Sequence, residues 1–197
     1  GADIQGDDNV FLGCYFGQNT TGLHLANANR NTFTGCTFYD ETNHLIMDTA
    51  NQDNLFTGCR FIWSTQDGAV VTASTRGVFA SCTFQQNGLA AGNTYTQLKF
   101  GASAVNNSVQ ACTFFGGTTG NKSKYGVWVG AGATGTTVYP NTFPDGGGQT
   151  DDIKNDGATT YLGPDITTQR SNTYVVAASD ATTDQKNGAD YVCDGTA

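Results

Sequence analysis

Four side chains in this sequence could take part in cutting a polysaccharide. Asp40, Glu41 and Asp67 are carboxylates in short turns, and Lys124 is an amine in a longer loop. Hydrolysis of a glycosidic bond needs two carboxyl groups about 5–9.5 Å apart, whereas Asp40 and Glu41 are adjacent and would point apart on an extended strand. Lys124 would act as the base of a lyase only if burial lowered its pKa by several units. These four residues are therefore weak catalytic candidates.

Aromatic side chains with polar neighbours favour sugar binding instead. A sugar ring needs a flat apolar surface together with hydrogen-bonding groups. Residues 85–97 and 115–126 supply such side chains and contain no Asp or Glu, which favours binding over cleavage. The alternative is that these rings cover loop ends or pack on a neighbouring subunit. The candidate glycan-binding residues are Tyr39, Trp63, Tyr95, Tyr125, Lys122 and Lys124.

An internal repeat determines where these residues lie. Its unit reads Asn-Thr-Phe-Thr-Gly-Cys-Thr-Phe at residues 31–38, and related units begin at positions 9, 54, 77, 107 and 136. The cysteine position recurs after 22, 23, 23, 30 and 29 residues. A period of this length is typical of a solenoid. The extra residues in the later repeats all fall at one corner, after the second Phe of the unit, so we expect the working edge there.

The apolar pattern predicts about three short strands in each repeat. Apolar blocks such as Leu23-His24-Leu25 follow each unit, and strand alternation turns their outer residues inward and the middle residue outward. Parallel stacking of repeats at about 4.8 Å would bury like residues on like. The pattern therefore predicts a parallel β-helix. Its expected inward columns are Phe11, Phe33, Phe56, Phe79, Val109 and Val138, and Phe16, Phe38, Phe61, Phe84, Phe114 and Phe143.

The repeat unit resembles the Asn-x-Ile-x-Gly-Asn-x-Ile/Phe repeat of right-handed β-helices in the pectate-lyase-like superfamily. In that family the Asn after Gly stacks as an inward ladder at a tight bend; here Cys replaces it in five repeats, and Asn141 restores it in the sixth. The resemblance implies that residues 1–163 form an all-β, right-handed, single-stranded parallel β-helix of six to seven turns. Residues 164–197 resemble a linker and the lead-in of another β-helix module, as in a piece of a longer fibre.

The stacked cysteine positions allow three interpretations. Cα atoms about 4.8 Å apart fall within disulfide range, and a thiol column could also bind metal. A tight inward bend at every turn of the solenoid favours small, buried, reduced thiols, and this is our prediction. The residues concerned are Cys14, Cys36, Cys59, Cys82 and Cys112.

The remaining potential ligands give weak signals. His24 and His44 have no consistent carboxylate partner, and we expect both to be ordinary surface histidines. Asp151, Asp152 and Asp156 do not follow the alternating spacing of a calcium loop, and we expect a solvated turn there. We therefore predict neither a metal nor a cofactor.

The outward positions of the apolar blocks favour self-association. They read His24, Ile46, Val70, Lys99 and Trp128, which is apolar at three places where water would be expected. A long acidic β-helix with such a stripe resembles phage tail spikes and fibres, which are parallel homotrimers. We therefore expect a homotrimer with Ile46, Val70 and Trp128 at its interface.

Composition limits the partners. The net charge of −8 argues against nucleic acid, and no apolar run approaches the ~18 residues of a membrane span. We expect an extracellular location on a virion tail or a cell surface. The expected role is a structural shaft or receptor-binding module of a phage-type tail spike or fibre, with cell-surface glycans as the candidate ligand. The alternatives are a polysaccharide lyase or hydrolase, and a bacterial surface adhesin or filament.

Overall fold

The apolar alternation within each repeat produces three short strands, and strands of the same kind pair in parallel from one turn to the next. The computed structural model describes residues 1–117, 122–144, 148 and 150–162. Residues 164–197, predicted as a linker and lead-in, lie outside the described residues. Within the described residues there is no helix long and apolar enough to cross a membrane.

Three parallel sheets form the walls of the solenoid. Sheet A contains β1 (Ala2–Ile4), β4 (Thr21–Ala26), β7 (Asn43–Thr49), β8 (Asn51–Gln52), β11 (Ala69–Thr75), β14 (Thr96–Val105), β17 (Tyr125–Val129) and β19 (Asp151–Asn155). Sheet B contains β2 (Val10–Leu12), β5 (Thr32–Thr34), β9 (Leu55–Thr57), β12 (Val78–Ala80), β15 (Ser108–Gln110) and β18 (Thr137–Val138). Sheet C contains β3 (Tyr15–Gly17), β6 (Thr37–Tyr39), β10 (Arg60–Ile62), β13 (Thr83–Gln85) and β16 (Thr113–Phe115).

Stacked phenylalanines fill the interior of the solenoid. Phe33 pairs in register with Phe56, and their ring centroids are 4.7 Å apart with planes 6° from parallel. Phe38 and Phe61 repeat this arrangement in sheet C, also at 4.7 Å. The predicted inward columns are confirmed, and their members are buried except at the first turn, where Phe11 and Phe16 are half-buried.

The cysteine column supplies hydrogen bonds as well as volume. The Cys59 thiol donates to the Phe33 carbonyl at 3.3 Å, as the Asn141 amide donates to the Val109 carbonyl at 3.1 Å. A sulfur also accepts a backbone amide: Cys82 N donates to Cys112 Sγ at 3.4 Å. Cysteine therefore takes over both hydrogen bonds of the ladder asparagine.

The predicted burial of the cysteine column is confirmed with one exception. All five repeat cysteines are free thiols, and four are buried, while Cys14 in the first turn is half-buried. Burial raises the pKa of the Cys36 thiol to about 11, so this side chain stays protonated at neutral pH.

A second ladder begins each repeat unit. The Asn31 side-chain oxygen accepts the Asn9 backbone amide, and the Asn54 side-chain oxygen accepts that of Asn31, both at 2.9 Å. Gly77 takes the same position in its turn, and its amide donates to Asn107 Oδ1 at 2.8 Å. Asparagine thus fixes the corner between sheets A and B from inside.

We expect the thiol at position 59 to be replaceable only by a hydrogen-bonding side chain. Cys59→Asn and Cys59→Ser should unfold near the wild-type midpoint, because each retains a donor for the Phe33 carbonyl. Cys59→Val fills the space without a donor and should cost about 1–3 kcal/mol. Urea unfolding followed by circular dichroism measures these differences; equal stability of all three variants would show that the bond is unimportant.

Candidate functional site

The two long insertions in the repeats fall at the corner that joins sheet C to sheet A. Residues 86–95 and 116–124 are the two long connections there, and residues 118–121 lie outside the described residues. Backbone hydrogen bonds join the two connections: Asn93 N donates to the Lys122 carbonyl at 2.9 Å, and Lys124 N donates to the Tyr95 carbonyl. Residues 122–124 thus lie beside residues 93–95 and widen this edge of the solenoid.

A polar network is buried inside the same corner. Glu41 Oε2 lies 2.9 Å from His44 Nδ1, and His44 Nε2 lies 2.9 Å from Asn87 Oδ1. Both side chains of the Glu41–His44 pair are 0% exposed. Asn19 donates to the other Glu41 oxygen at 3.3 Å. The network reaches from Asn19 in the first turn to Asn87 in the fourth, and His44 and Asn87 are 43 residues apart.

The hydrogen bonds orient the side chains of the network. Asn87 Nδ2 donates to the Phe61 carbonyl and Asn87 Oδ1 accepts the Ser64 amide, so Oδ1 faces His44 and Nε2 is the donor. The other ring nitrogen of His44, Nδ1, faces Glu41 Oε2. Each polar end of the buried imidazole thus has a partner inside the protein.

The surface position predicted for His44 is wrong. His44 comes directly before the apolar block of its turn, where the first and third turns have Gly22 and Gly68. A Cβ at Gly22 would lie 2.1 Å from Glu41 Oε2, and one at Gly68 would lie 2.8 Å from Asn87 Nδ2. These glycines leave the interior space that the network fills. The signal in the sequence was the change from Gly to His at one repeat position.

The outer face of sheet A bears a group that we call the lysine–tryptophan patch. Lys99, Trp128 and Lys154 pair in register on three successive turns. Lys99 Nζ lies 4.6 Å from the centre of the Trp128 ring, and the indole N–H donates to Asp156 at 3.0 Å. Asp156 in turn pairs with Lys154 at 2.8 Å. The full patch consists of Lys99, Lys124, Tyr125, Trp128, Lys154 and Asp156.

Tyr125 and Lys124 belong to this patch. The ring centroids of Tyr125 and Trp128 are 6.2 Å apart, and Lys124 Nζ lies 5.3 Å from the centre of the Tyr125 ring. The structure thus joins two of the predicted glycan-binding residues to Trp128, which the sequence placed at a subunit interface. An ammonium group over an aromatic ring keeps its N–H donors available to another acceptor.

Asp67 is a half-buried carboxylate near the patch whose pKa is raised. It accepts the Thr96 backbone amide at 2.6 Å. Burial raises the pKa of Asp67, while the Thr96 hydrogen bond and the Lys99 charge act in the opposite direction. Of the other weak catalytic candidates, Glu41 is enclosed by the buried network and Asp40 is exposed at the corner, so the three carboxylates have different environments.

Tyr39 and Trp63 lie apart from the patch in a group that we call the aromatic strip. Tyr15, Tyr39 and Trp63 come from three successive turns at sheet C and the corner after it. Their ring centroids are 6.2 Å and 5.3 Å apart along the row. The Trp63 indole N–H donates to Gln86 Oε1 at 2.7 Å. Four of the six predicted glycan-binding residues therefore divide between two surfaces, while Tyr95 and Lys122 lie in the two long connections. Tyr15, which the sequence analysis did not single out, joins the second surface.

The predicted outward column is confirmed in register. Ile46 pairs with Val70, and His24 precedes them in the same column. Ile46 and Val70 are half-buried. His24 lies between Asp3 at 3.2 Å and Asp48 at 3.0 Å, and the His24 hydrogen bond lowers the pKa of Asp48. The apolar stripe thus begins beside a charged cluster.

The acidic segment near residue 151 is a strand and not the solvated turn that we predicted. Asp151–Asn155 forms β19, which pairs with β17 because Ile153 continues the inward column next to Val127. Asp156, just beyond it, is held by Lys154 and Trp128. In the part of the chain that the structure describes, no three His, Cys, Asp or Glu side chains come together as a metal site.

Comparisons with known proteins agree with the parallel sheets and with the right-handed fold that the resemblance of the repeat unit implied. Residues 1–143 match the family described as right handed beta helix region, so the chain belongs to the right-handed β-helix family. The fold is also similar to the crystal structure of pectate lyase Pel9A, with a TM-score of 0.51 and 18% identity. That similarity covers 91% of this chain but 53% of the pectate lyase, and at this identity it establishes the fold alone. No curated protein matches the sequence.

We expect the Glu41–His44 pair to be more sensitive to the loss of one partner than to the loss of both. His44→Leu leaves Glu41 buried without its main partner and should cost about 3–5 kcal/mol. Glu41→Leu combined with His44→Leu removes both groups and should recover part of that loss. Urea unfolding of the single and double variants measures the coupling; strictly additive losses would show that the two groups do not act as a pair.

Proposed function

We propose that this chain is the β-helix shaft of a phage-type trimeric tail spike or fibre, outside the cell, and that it binds surface polysaccharide on the outer face of sheet A. The observation that carries the binding proposal is the lysine–tryptophan patch, where Trp128 and Tyr125 lie 6.2 Å apart with lysines over both rings. An amphipathic aromatic pair with nearby donors and acceptors is suited to a sugar ring.

The geometry of Trp128 supports a role as a fixed binding surface. Its indole N–H is held by Asp156 at 3.0 Å, and Gly130 lies beside it: a Cβ at Gly130 would be 3.9 Å from Trp128 Cε2. A side chain whose orientation is already fixed loses little conformational entropy when a ligand binds. Lys99 and Lys124 then supply donors to hydroxyl or carboxylate oxygens of the sugar.

The proposed trimer uses the earlier part of the same sheet. Ile46 and Val70 face outward on adjacent turns and are half-buried within one chain. An outward apolar pair on a sheet face is stabilised by burial against another subunit, and cyclic symmetry buries it on every copy. In this arrangement Ile46 and Val70 form the subunit contact, and Trp128 belongs to the ligand surface.

A second candidate function is polysaccharide cleavage, and Asp67 is the observation that favours it. Burial raises the pKa of this half-buried carboxyl group, as a general acid requires, and Lys99 is close enough to influence it. Release of oligosaccharide that is abolished by Asp67→Asn would establish this function. Binding without release supports the shaft and the adhesin alternatives.

We expect Trp128→Ala to weaken polysaccharide binding about tenfold, because it removes one stacking surface. Affinity electrophoresis against bacterial O-antigen and capsular polysaccharides measures the change. Tyr161→Ala is the matched control, since Tyr161 is an aromatic residue that is 57% exposed outside the patch. Equal retardation of wild type and Trp128→Ala on every polysaccharide would contradict the proposed site.

We expect Val70→Asp to convert a trimer into monomers, since it places a charge in an apolar contact. Light scattering coupled to size exclusion gives the mass directly. Thr34→Asp adds the same charge at an exposed position on sheet B and should leave the mass unchanged. A wild-type monomer at micromolar concentration would exclude the trimer.

A further inference from the structure

The aromatic strip crosses sheet C diagonally while advancing one turn at each step. Tyr15 is the first residue of β3, Tyr39 is the last residue of β6, and Trp63 follows β10. Tyr15 is 66% exposed and Trp63 is 39% exposed. The strip is therefore a continuous aromatic surface open to solvent, on a different sheet from the lysine–tryptophan patch.

The backbone at Trp63 is unusual for so large a residue. Its φ is 65°, in the left-handed region, and the equivalent corner positions hold Gln18, Asp40 and Gln86 with φ of 59°, 55° and 51°. Asp and Asn adopt this conformation with less strain than bulky residues do. The backbone conformation does not favour a tryptophan here, because it is strained for a large side chain. Burial does not explain the residue either, because the ring is exposed. Strain retained at an exposed residue indicates a functional surface.

Trp63 is also held in one orientation before any ligand binds. Gln86, from the next turn, accepts the indole N–H at 2.7 Å, and Tyr39 packs against the ring at 5.3 Å. The polar end of the indole thereby has its partner within the protein, and the exposed part of the ring remains for stacking. Such preorganisation reduces the entropy cost of binding.

The charges around the strip indicate the class of ligand. Arg60 faces outward in the column of Tyr15 and Thr37, and Asp40 precedes Trp63 by one turn at the corner. One exposed cation and one exposed anion give no net charge, and the described lysines lie elsewhere, at residues 99–154. Stacking and neutral hydrogen bonding are thus the interactions that this surface offers.

We propose that the aromatic strip is a second carbohydrate-binding site, one that takes an uncharged hexose chain lying diagonally across sheet C. Tyr15, Tyr39 and Trp63 stack on successive sugar faces, and Arg60 and Asp40 hydrogen-bond to hydroxyl groups at the edges. Gln86 is a positioning residue that fixes the Trp63 ring. The inference rests on the proposed function only in that the ligand is again a glycan.

The two tryptophans of the chain allow each surface to be followed separately. The full chain carrying Trp128→Phe reports Trp63 emission alone, and Trp63→Phe reports Trp128 alone. Maltohexaose and cellohexaose are the uncharged probes, and a galacturonate hexamer is the anionic probe. We expect an uncharged probe to shift Trp63 emission saturably at millimolar concentration, and the galacturonate hexamer to have no greater effect than either.

Variants in the Trp128→Phe background test the residues of the strip. Tyr39→Ala should weaken binding about 3- to 10-fold through the loss of one ring. Gln86→Ala should weaken it while leaving the unfolding midpoint near that of the parent. Tyr161→Ala, an exposed aromatic residue outside the strip, should change neither quantity.

Three outcomes would overturn the inference. The first is no saturable change in Trp63 emission with either uncharged probe. The second is a response of equal size in the Tyr39→Ala variant. The third is an oligomer that Trp63→Asp dissociates, which would make the strip a protein interface. If bacterial polysaccharide changed the emission of Trp128 and no probe changed that of Trp63, the aromatic strip would not be a binding site and the proposed function would stand. If only the emission of Trp63 changed, the lysine–tryptophan patch would not be a binding site and the strip would remain.

Discussion

Parallel hydrogen bonding between successive turns is the constraint on which this structure depends. Each strand pairs with the equivalent strand of the next repeat. A side chain therefore contacts the side chains at the same repeat position in the turns above and below. Phenylalanine therefore stacks on phenylalanine, as with Phe61 and Phe84 at 4.6 Å, and thiol follows thiol. The same constraint makes asparagine useful at the inner corners, since one amide can both accept a backbone N–H and donate to a carbonyl of the neighbouring turn, as Asn141 does with Cys112 and Val109.

Uniform columns stabilise the stack but are the same in every turn. The positions that differ between turns therefore specify which strand pairs with which. Arg30 forms a paired contact with Asp8 at 2.7 and 2.8 Å, and Arg76 repeats it with Asp53, which makes an alternating charged column on the surface. Inside, the Glu41 carboxylate occupies space that a side chain at Gly22 would fill. A shift of one turn would oppose like charges and overlap buried side chains, both of which are costly.

The same constraint confines functional variation to few places. Inner columns and tight corners cannot accept insertions without breaking the ladders, whereas the corner from sheet C to sheet A can extend outward. The lysine–tryptophan patch adjoins this corner on sheet A, and the aromatic strip adjoins it on sheet C. A rigid solenoid thus presents two aromatic surfaces on different sheets, and both are formed by residues from several turns.

The residue pattern alone predicts the solenoid, because a repeat of Phe, Gly and Cys can bury its apolar residues only by stacking. The period, the inward columns and the outward positions of Ile46 and Val70 all follow from strand alternation. Which corner residues meet depends on the folded chain, since Asn19 meets Glu41 across 22 residues and His44 meets Asn87 across 43. His44 therefore proved to be buried and Tyr15 joined Tyr39, because corner geometry and neighbouring glycines, not alternation, set the direction of those side chains.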